Sequence, residues 1–170
     1  METLKVIVTT KNNKGSKCLV EILNRVLIKD PSAEAKEIKK NLIAVYSSVL
    51  SSLEVYGLIY LAPPSCAQKI YPIDMVVSSN EREVITKTVE LLKSRYKRGF
   101  SFYVDCIRRG GKMNCREVEL GIGLGMKGYA DVNFKVPDII VVVNDLGDFS
   151  TVSIIKKGQE KLSVNSLKEK

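Results

Sequence analysis

The sequence predicts an α+β fold in two parts, an N-terminal ferredoxin-like domain followed by a second α/β domain. Three observations carry that reading. Over the first 77 residues, strand-like and helical apolar patterns follow the order β-α-β-β-α-β, which places two helices on one face of an antiparallel sheet. A capped amphipathic helix opens the second half at Asn80. The chain of 170 residues, 45% hydrophobic and 27% charged, is long enough to bury two modest cores.

Leu4-Lys5-Val6-Ile7-Val8 is a strand-like run that ends in Thr9-Thr10 and a polar turn over 11–15. Ser16 is the expected cap of a helix whose apolar residues Leu19, Ile22, Leu23, Val26 and Leu27 recur at helical spacing, and Asp30-Pro31 ends it. Residues 35–40 are weakly strand-like and residues 42–46 strongly so. Ser51-Ser52-Leu53-Glu54 has capping-box spacing and starts a second helix through about residue 61, stopped by Pro63-Pro64. Gly57 lies inside that run, which also fits a strand. Residues 70–77 complete the first half as one further strand.

In the second half the helix over 80–95 carries Val84, Ile85, Val89 and Leu92 as its apolar stripe. Phe100, Phe102, Val104 and Cys106 then alternate onto one side, as a half-buried strand requires. Arg108-Arg109-Gly110-Gly111-Lys112 reads as a turn with three positive charges. Asn114, with Glu117 three positions on, starts a helix in which Val118, Ile122 and Met126 recur every four residues. A connection over 131–137 leads to two closing strands, 139–143 and 149–155, and a polar tail. The expected division is 1–77, 78–160 and a tail of 161–170.

Composition excludes much chemistry. There is no histidine, which removes Ser-His-Asp and Cys-His pairs and histidine zinc sites. The four cysteines (Cys18, Cys66, Cys106, Cys115) contain no C-x-x-C pair, so no metal site is predicted. Their residue type predicts buried small hydrophobes in a reduced compartment, and no spacing points to a disulfide. No apolar run reaches the roughly 20 residues of a membrane span, and the N-terminus lacks a signal-peptide layout, so a cytoplasmic location is expected.

Net charge is +8 and unevenly spread. Seven basic residues against one acid lie between Arg95 and Arg116, whereas six acids and two lysines lie between Glu117 and Ile155. A basic block of this kind suits a polyanion, since each phosphate neutralised releases counterions. The competing reading is a solvated charged face.

Two further motifs are read as structural. Gly123, Gly125 and Gly128 satisfy G-x-G-x-x-G, with Asp145 beyond, but Arg116-Glu117-Val118-Glu119-Leu120 is too charged for the buried strand that a dinucleotide site needs in front of it. Asn144-Asp145-Leu146-Gly147-Asp148 is read as a hairpin turn rather than a metal loop, and Pro137-Asp138 as a turn rather than a catalytic acid.

The stretch from Phe102-Tyr103-Val104-Asp105-Cys106-Ile107 into Arg108-Arg109-Gly110 is similar to the central strand and basic turn of THUMP domains. Arg116-Glu117-Val118, the glycine-interrupted helix, Asp131-Val132, Pro137-Asp138 and Ile139-Ile140-Val141-Val142-Val143 come after it in the family's order, so the resemblance spans roughly residues 80–160. It implies a THUMP domain behind a ferredoxin-like domain, and a tRNA-binding module of proteins that thiolate, methylate, deaminate or acetylate tRNA. Tyr71-Pro72-Ile73-Asp74-Met75-Val76-Val77 resembles the corresponding strand of the archaeal and eukaryotic THUMP proteins that assist tRNA cytidine acetylation.

The resemblance implies a tRNA-binding adaptor with no catalytic activity or cofactor of its own. It would present the acceptor end of tRNA to a separate enzyme, an RNA acetyltransferase making 4-acetylcytidine. The residues expected to hold phosphates are Arg108 and Arg109, with Lys112 and Arg116 close by, then Lys127 and Lys135, and Lys97 and Arg98 before the central strand. Tyr103 is a candidate for stacking on a base or against a neighbouring layer. Alternatives are an RNA-binding subunit for thiolation or methylation, an enzyme using the Gly121–Gly128 cluster for a nucleotide or acetyl-coenzyme A, and a protein whose basic face meets an acidic partner.

Overall fold

The computed structural model describes residues 3–162. It is a mixed α+β protein with two sheets and four helices among the described residues. The chain divides into two compact units, one running to Ile73 and resumed at Gly158, the other Asp74–Lys157.

In the first unit the strands are β1 (Thr3–Thr10), β2 (Glu34–Lys39), β3 (Leu42–Ser47) and β4 (Ala67–Pro72). They lie side by side as β2-β3-β1-β4, with every neighbouring pair antiparallel. Helices α1 (Gly15–Leu27) and α2 (Ser52–Tyr60) cover one face. Val6 and Val8 of β1 and Ile43 and Val45 of β3 turn to that face at period two, and Cys18, Ile22, Val26, Val55 and Ile59 meet them from the helices. Ser51 caps α2 as its spacing predicts: its hydroxyl accepts from the Glu54 N–H, while the Glu54 carboxylate accepts from the Ser51 N–H. Ser16 caps nothing. The helix begins two residues earlier than that cap would place it, after Lys14, and has no side-chain cap.

Behind α1, Asp30 is a buried carboxylate that accepts from Ser47 Oγ (2.5 Å) and from the Ser32 hydroxyl and N–H. These bonds, that from Ser47 first, hold its carboxyl below the usual range. The stabilisation is present above the unfolded carboxyl's value of about 3.9 and is lost as pH falls through the lower folded value. Acid unfolding of the wild type should therefore be steeper than that of Asp30→Asn below about pH 4, as followed by circular dichroism.

Two expectations about the halves are corrected. The strand read through 70–77 is two strands in different sheets: β4 ends at Pro72, and β5 (Met75–Val77) pairs with the last strand of the second unit. The polar tail begins as packed structure, because Lys161 bridges to Lys69 of β4 and Leu162 is buried in the first core. The remainder of the tail, 163–170, lies outside the described residues.

The second unit adds α3 (Glu81–Arg95), β6 (Ser101–Arg108), α4 (Cys115–Gly125), β7 (Asp131–Val132), β8 (Ile139–Asp145) and β9 (Ser150–Ile155). The sheet runs β5-β9-β8-β6-β7, with β6 parallel to both β7 and β8. All seven residues of β8 are buried, which explains its unbroken apolar run. Phe102, Val104, Val141, Val143 and Val152 face Val84 and Leu92 of α3, Val118 and Ile122 of α4, and Met126 just after it. Because β6 and β8 are parallel, α4 must carry the chain back along the sheet face. The turn between β6 and α4 is therefore left at the C-terminal end of the strands, where functional loops of parallel sheets gather.

All four cysteines are paired, against the expectation of thiols. Cys18 joins Cys66, and Cys106 joins Cys115, with Cα atoms 5.7 and 5.3 Å apart. The first pair joins residues 48 apart in sequence, and the second joins the two sides of a turn, nine apart.

Candidate nucleic-acid interface

The basic turn is built on a buried polar pair. Arg108 closes β6 in register with Asp145, the last residue of β8. Immediately afterwards the Arg109 N–H donates to the Asp145 carbonyl (2.7 Å) and Arg109 Nε donates to Asn144 Oδ1 (2.6 Å). The Asp145 carboxylate, fully buried, accepts from Ser79 Oγ (2.9 Å) and the Gly147 N–H (3.1 Å) on one oxygen. Its other oxygen accepts from the Met113 N–H (2.9 Å). A chain that passes over a carboxylate this closely needs glycines. Gly110 has φ +97, and a Cβ on Gly111 would coincide with the Asp145 carboxylate.

The start of α4 is fixed from α3. Asn114 Oδ1 accepts from the Glu117 N–H (3.1 Å), as its spacing predicts, but the Asn114 N–H goes to Glu81 Oε1 (3.1 Å) rather than back to Glu117. That bond, chiefly, holds the Glu81 carboxyl below the usual range. The turn thus has carboxylates beneath it and cations outside it.

The structure separates the expected phosphate contacts into two groups. Arg108 and Lys112 are exposed at the C-terminal end of β6, with Arg109 half-buried between them, and Arg116 is exposed at the second residue of α4. Lys97 and Arg98 precede β6, so they lie at its other end, on the order of 20 Å away at about 3.3 Å per residue. There Arg98 lies over the Tyr129 ring (5.1 Å) and donates to the Gly128 carbonyl (3.1 Å), which puts it beside Lys127 at the end of α4. Lys135 is exposed in the connection after β7, and its carbonyl accepts from Lys157 Nζ (3.0 Å). The eight residues therefore form two cationic ends rather than one track. Tyr103 packs against the Phe134 ring (5.6 Å).

The glycine cluster belongs to helix packing. Helix α4 already runs through Arg116–Leu120, so the strand that a dinucleotide site requires is absent there. A Cβ on Gly121 would strike the Ile85 side chain, and one on Gly125 would come within 2.7 Å of Val89 Cγ2. Residues four apart on α4 thus meet residues four apart on α3. Gly121→Leu should cost about 1–3 kcal/mol by forcing the helices apart, measured as a shift in the urea midpoint. An unshifted midpoint would mean that Ile85 has room to turn away.

Sequence reasoning misses the anchors beneath the turn. Asn144-Asp145 reads only as the start of the β8–β9 hairpin, which it also is. The available signal is that two polar residues continue a five-residue apolar strand without a break. Also missed is a cleft of about 460 Å³ between α4 and the β7 connection, lined by Phe102, Val104, Leu124, Val132 and Phe134 with Arg116 and Glu119 at its sides. Among the described residues, no cluster of three or more His, Cys, Asp or Glu is placed to hold a metal ion, and no helix is long and apolar enough to cross a membrane.

No protein-family model matches the chain, and no curated protein matches it in sequence. Solved structures do match in fold. PH1313 from Pyrococcus horikoshii Ot3 superposes with a TM-score of 0.64 at 19% identity, over 91% of this chain and 55% of that one. TrmN from Thermus thermophilus gives 0.60 at 18%, over 89% and 45%. A 4-thiouridine synthetase, crystallised in complex with RNA and bound ATP, gives 0.57 at 16%, over 91% and 42%. The fold is THUMP-like.

The chain spans only about half the length of these proteins. The expectation that it has no catalytic activity of its own is corrected by the same comparison. The fold is shared with a protein of Clostridium difficile 630 described as a "possible methylase" (TM-score 0.59, 13% identity, 93% of this chain and 42% of that one). It therefore occurs within proteins described as enzymes, and composition alone does not set this chain apart from them.

Proposed function

We propose that this protein binds tRNA and takes part in its modification, holding the acceptor end so that a catalytic domain reaches its target nucleotide. The observation that carries the reading is the braced basic turn. Arg108 and Lys112 project to solvent from a backbone held from beneath by Asp145, so the points from which they project are set before any ligand arrives. A backbone held in this way lowers the ordering cost of binding phosphates to that of the side chains themselves. The likeness to a synthetase crystallised with RNA supports the same ligand class.

The finer reading is cytidine acetylation, with an RNA acetyltransferase as the catalytic part. It rests on the sequence resemblance over residues 71–77 and 80–160. Thiolation is the second reading, favoured by the structural likeness to the 4-thiouridine synthetase.

Binding is tested by titrating intact tRNA, and the same tRNA without its 3′ single-stranded end, over a salt series. Loss of affinity on trimming supports acceptor-end recognition. Equal and weak binding to both reduces the basic turn to nonspecific charge. Nucleoside analysis of tRNA from cells lacking the protein separates the chemistries, since 4-acetylcytidine disappears under the first reading and 4-thiouridine under the second.

A further inference from the structure

The two disulfides differ in their surroundings. Cys18 and Cys66 lie within the first core at 0% and 5% exposure, closed off by α1 and the start of β4. Cys106 and Cys115 are both partly exposed, one on β6 and the other the first residue of α4. Between the second pair lie residues 107–114, which are the basic turn with Arg108, Arg109 and Lys112. The bond therefore joins the two ends of the segment that carries the proposed phosphate contacts.

We propose that Cys106–Cys115 is a thiol–disulfide exchange site, and that reducing it loosens the basic turn and weakens its hold on RNA. The effect on RNA rests on the function proposed above; the effect on the turn does not. The co-reactant is a dithiol. One of its thiolates attacks a cystine sulfur, the protein S–S bond breaks, and the other cysteine leaves as a thiolate. The reagent's second thiol then attacks the mixed disulfide. Cys106 and Cys115 end as thiols, having gained two electrons and two protons, and the dithiol ends as its own disulfide.

Access decides which pair reacts. An attacking thiolate must reach a sulfur, and although Cys106 packs against the second core, the partly exposed pair is less enclosed than the core pair. Flexibility decides the effect of that reaction on the turn. Gly110 and Gly111 give the turn little stiffness of its own, and the first turn of a helix opens most readily. The disulfide ties Cys115, the first residue of α4, to Cys106 of β6. With the tie gone, the turn relies on the Asp145 and Asn144 bonds on its inner side, the Asn114 cap and the bond from the Asn114 N–H to Glu81.

The test uses the whole chain under native conditions. Dithiothreitol is added, free thiols are trapped with iodoacetamide, and peptides are identified by mass. Cys106 and Cys115 should be alkylated at least about tenfold faster than Cys18 and Cys66. In parallel, trypsin cleavage after Arg108, Arg109 and Lys112 should speed up on reduction, and tRNA affinity should fall. The double variant Cys106→Ser/Cys115→Ser should be cleaved at the reduced rate whether or not reductant is present. Opening of Cys18–Cys66 first, or tryptic cleavage indifferent to reduction, overturns the proposal. Faster cleavage with unchanged tRNA affinity keeps the exchange site and overturns the assignment of this turn to RNA.

Discussion

Asp145→Ala is expected to destabilise the protein by about 3–5 kcal/mol, the largest effect of any single polar substitution in the second unit. Its carboxylate is buried and accepts three hydrogen bonds, from Ser79, Met113 and Gly147. Truncation leaves the Met113 and Gly147 N–H groups facing a hole, at about 1–3 kcal/mol for each orphaned donor. It also removes the group over which Gly111 passes. Asp145→Asn keeps the shape but turns one acceptor into a donor, so it should cost less than the alanine. Urea unfolding measures both. A loss below about 1 kcal/mol for the alanine would mean that water replaces the carboxylate, so that the turn does not depend on it. A loss of the expected size should come with faster tryptic cleavage in the turn.

Asp145 also marks where the sequence stops being informative. Period-two and helical patterns give strands, helices and the capping residues Ser51, Asn80 and Asn114, because each depends on neighbours within four residues. The role of Asp145 depends on Ser79 and Met113, 66 and 32 residues away, and nothing local announces it. The same holds for Glu81, whose partner Asn114 lies 33 residues on. Pairing of Cys18 with Cys66 across 48 residues is likewise beyond reach. What local chemistry does leave is a residue type that fits badly. Asn-Asp prolonging a buried strand and Gly-Gly after two arginines are both costly unless something distant compensates.

Boundaries fail for a related reason. Residues 70–77 have continuous strand character, yet the chain changes sheets within them. Ile73 donates back to the Lys5 carbonyl, while the Asp74 N–H and carboxylate bond to Val152 and Ile154. An alternation of apolar residues does not record which sheet receives them. The candidate interface is legible as a basic segment, but not in its division between the two ends of β6. Sequence order places Lys97 and Lys112 in one block, whereas a strand between them sets them at opposite ends. Charge composition suggests a ligand class more readily than it gives a geometry of contact.

That geometry gives the substitutions of Arg108 and Arg109 different expected outcomes. Together, Arg108→Gln and Arg109→Gln should weaken tRNA binding by about tenfold or more, as the loss of one charge-assisted contact at roughly 1.5–3 kcal/mol with Arg108 and of the bracing by Arg109 would allow. Singly they should diverge. Arg108 is exposed, so its loss should lower the slope of log affinity against log salt by about one phosphate while leaving stability unchanged. Arg109 is half-buried, with its Nε on Asn144 and its N–H on the Asp145 carbonyl. Removing its guanidinium takes a donor from the buried Asn144 and relaxes the turn. Arg109→Gln should therefore lower both the urea midpoint and the affinity, with a smaller change in salt slope than Arg108→Gln produces. Equal slopes and unchanged stability for the two variants would mean that both arginines act as surface charges. The bracing from beneath would then have no bearing on binding. Divergence in the expected direction would assign contact to Arg108 and positioning to Arg109, and so tie the buried end of β8 to recognition of the RNA backbone.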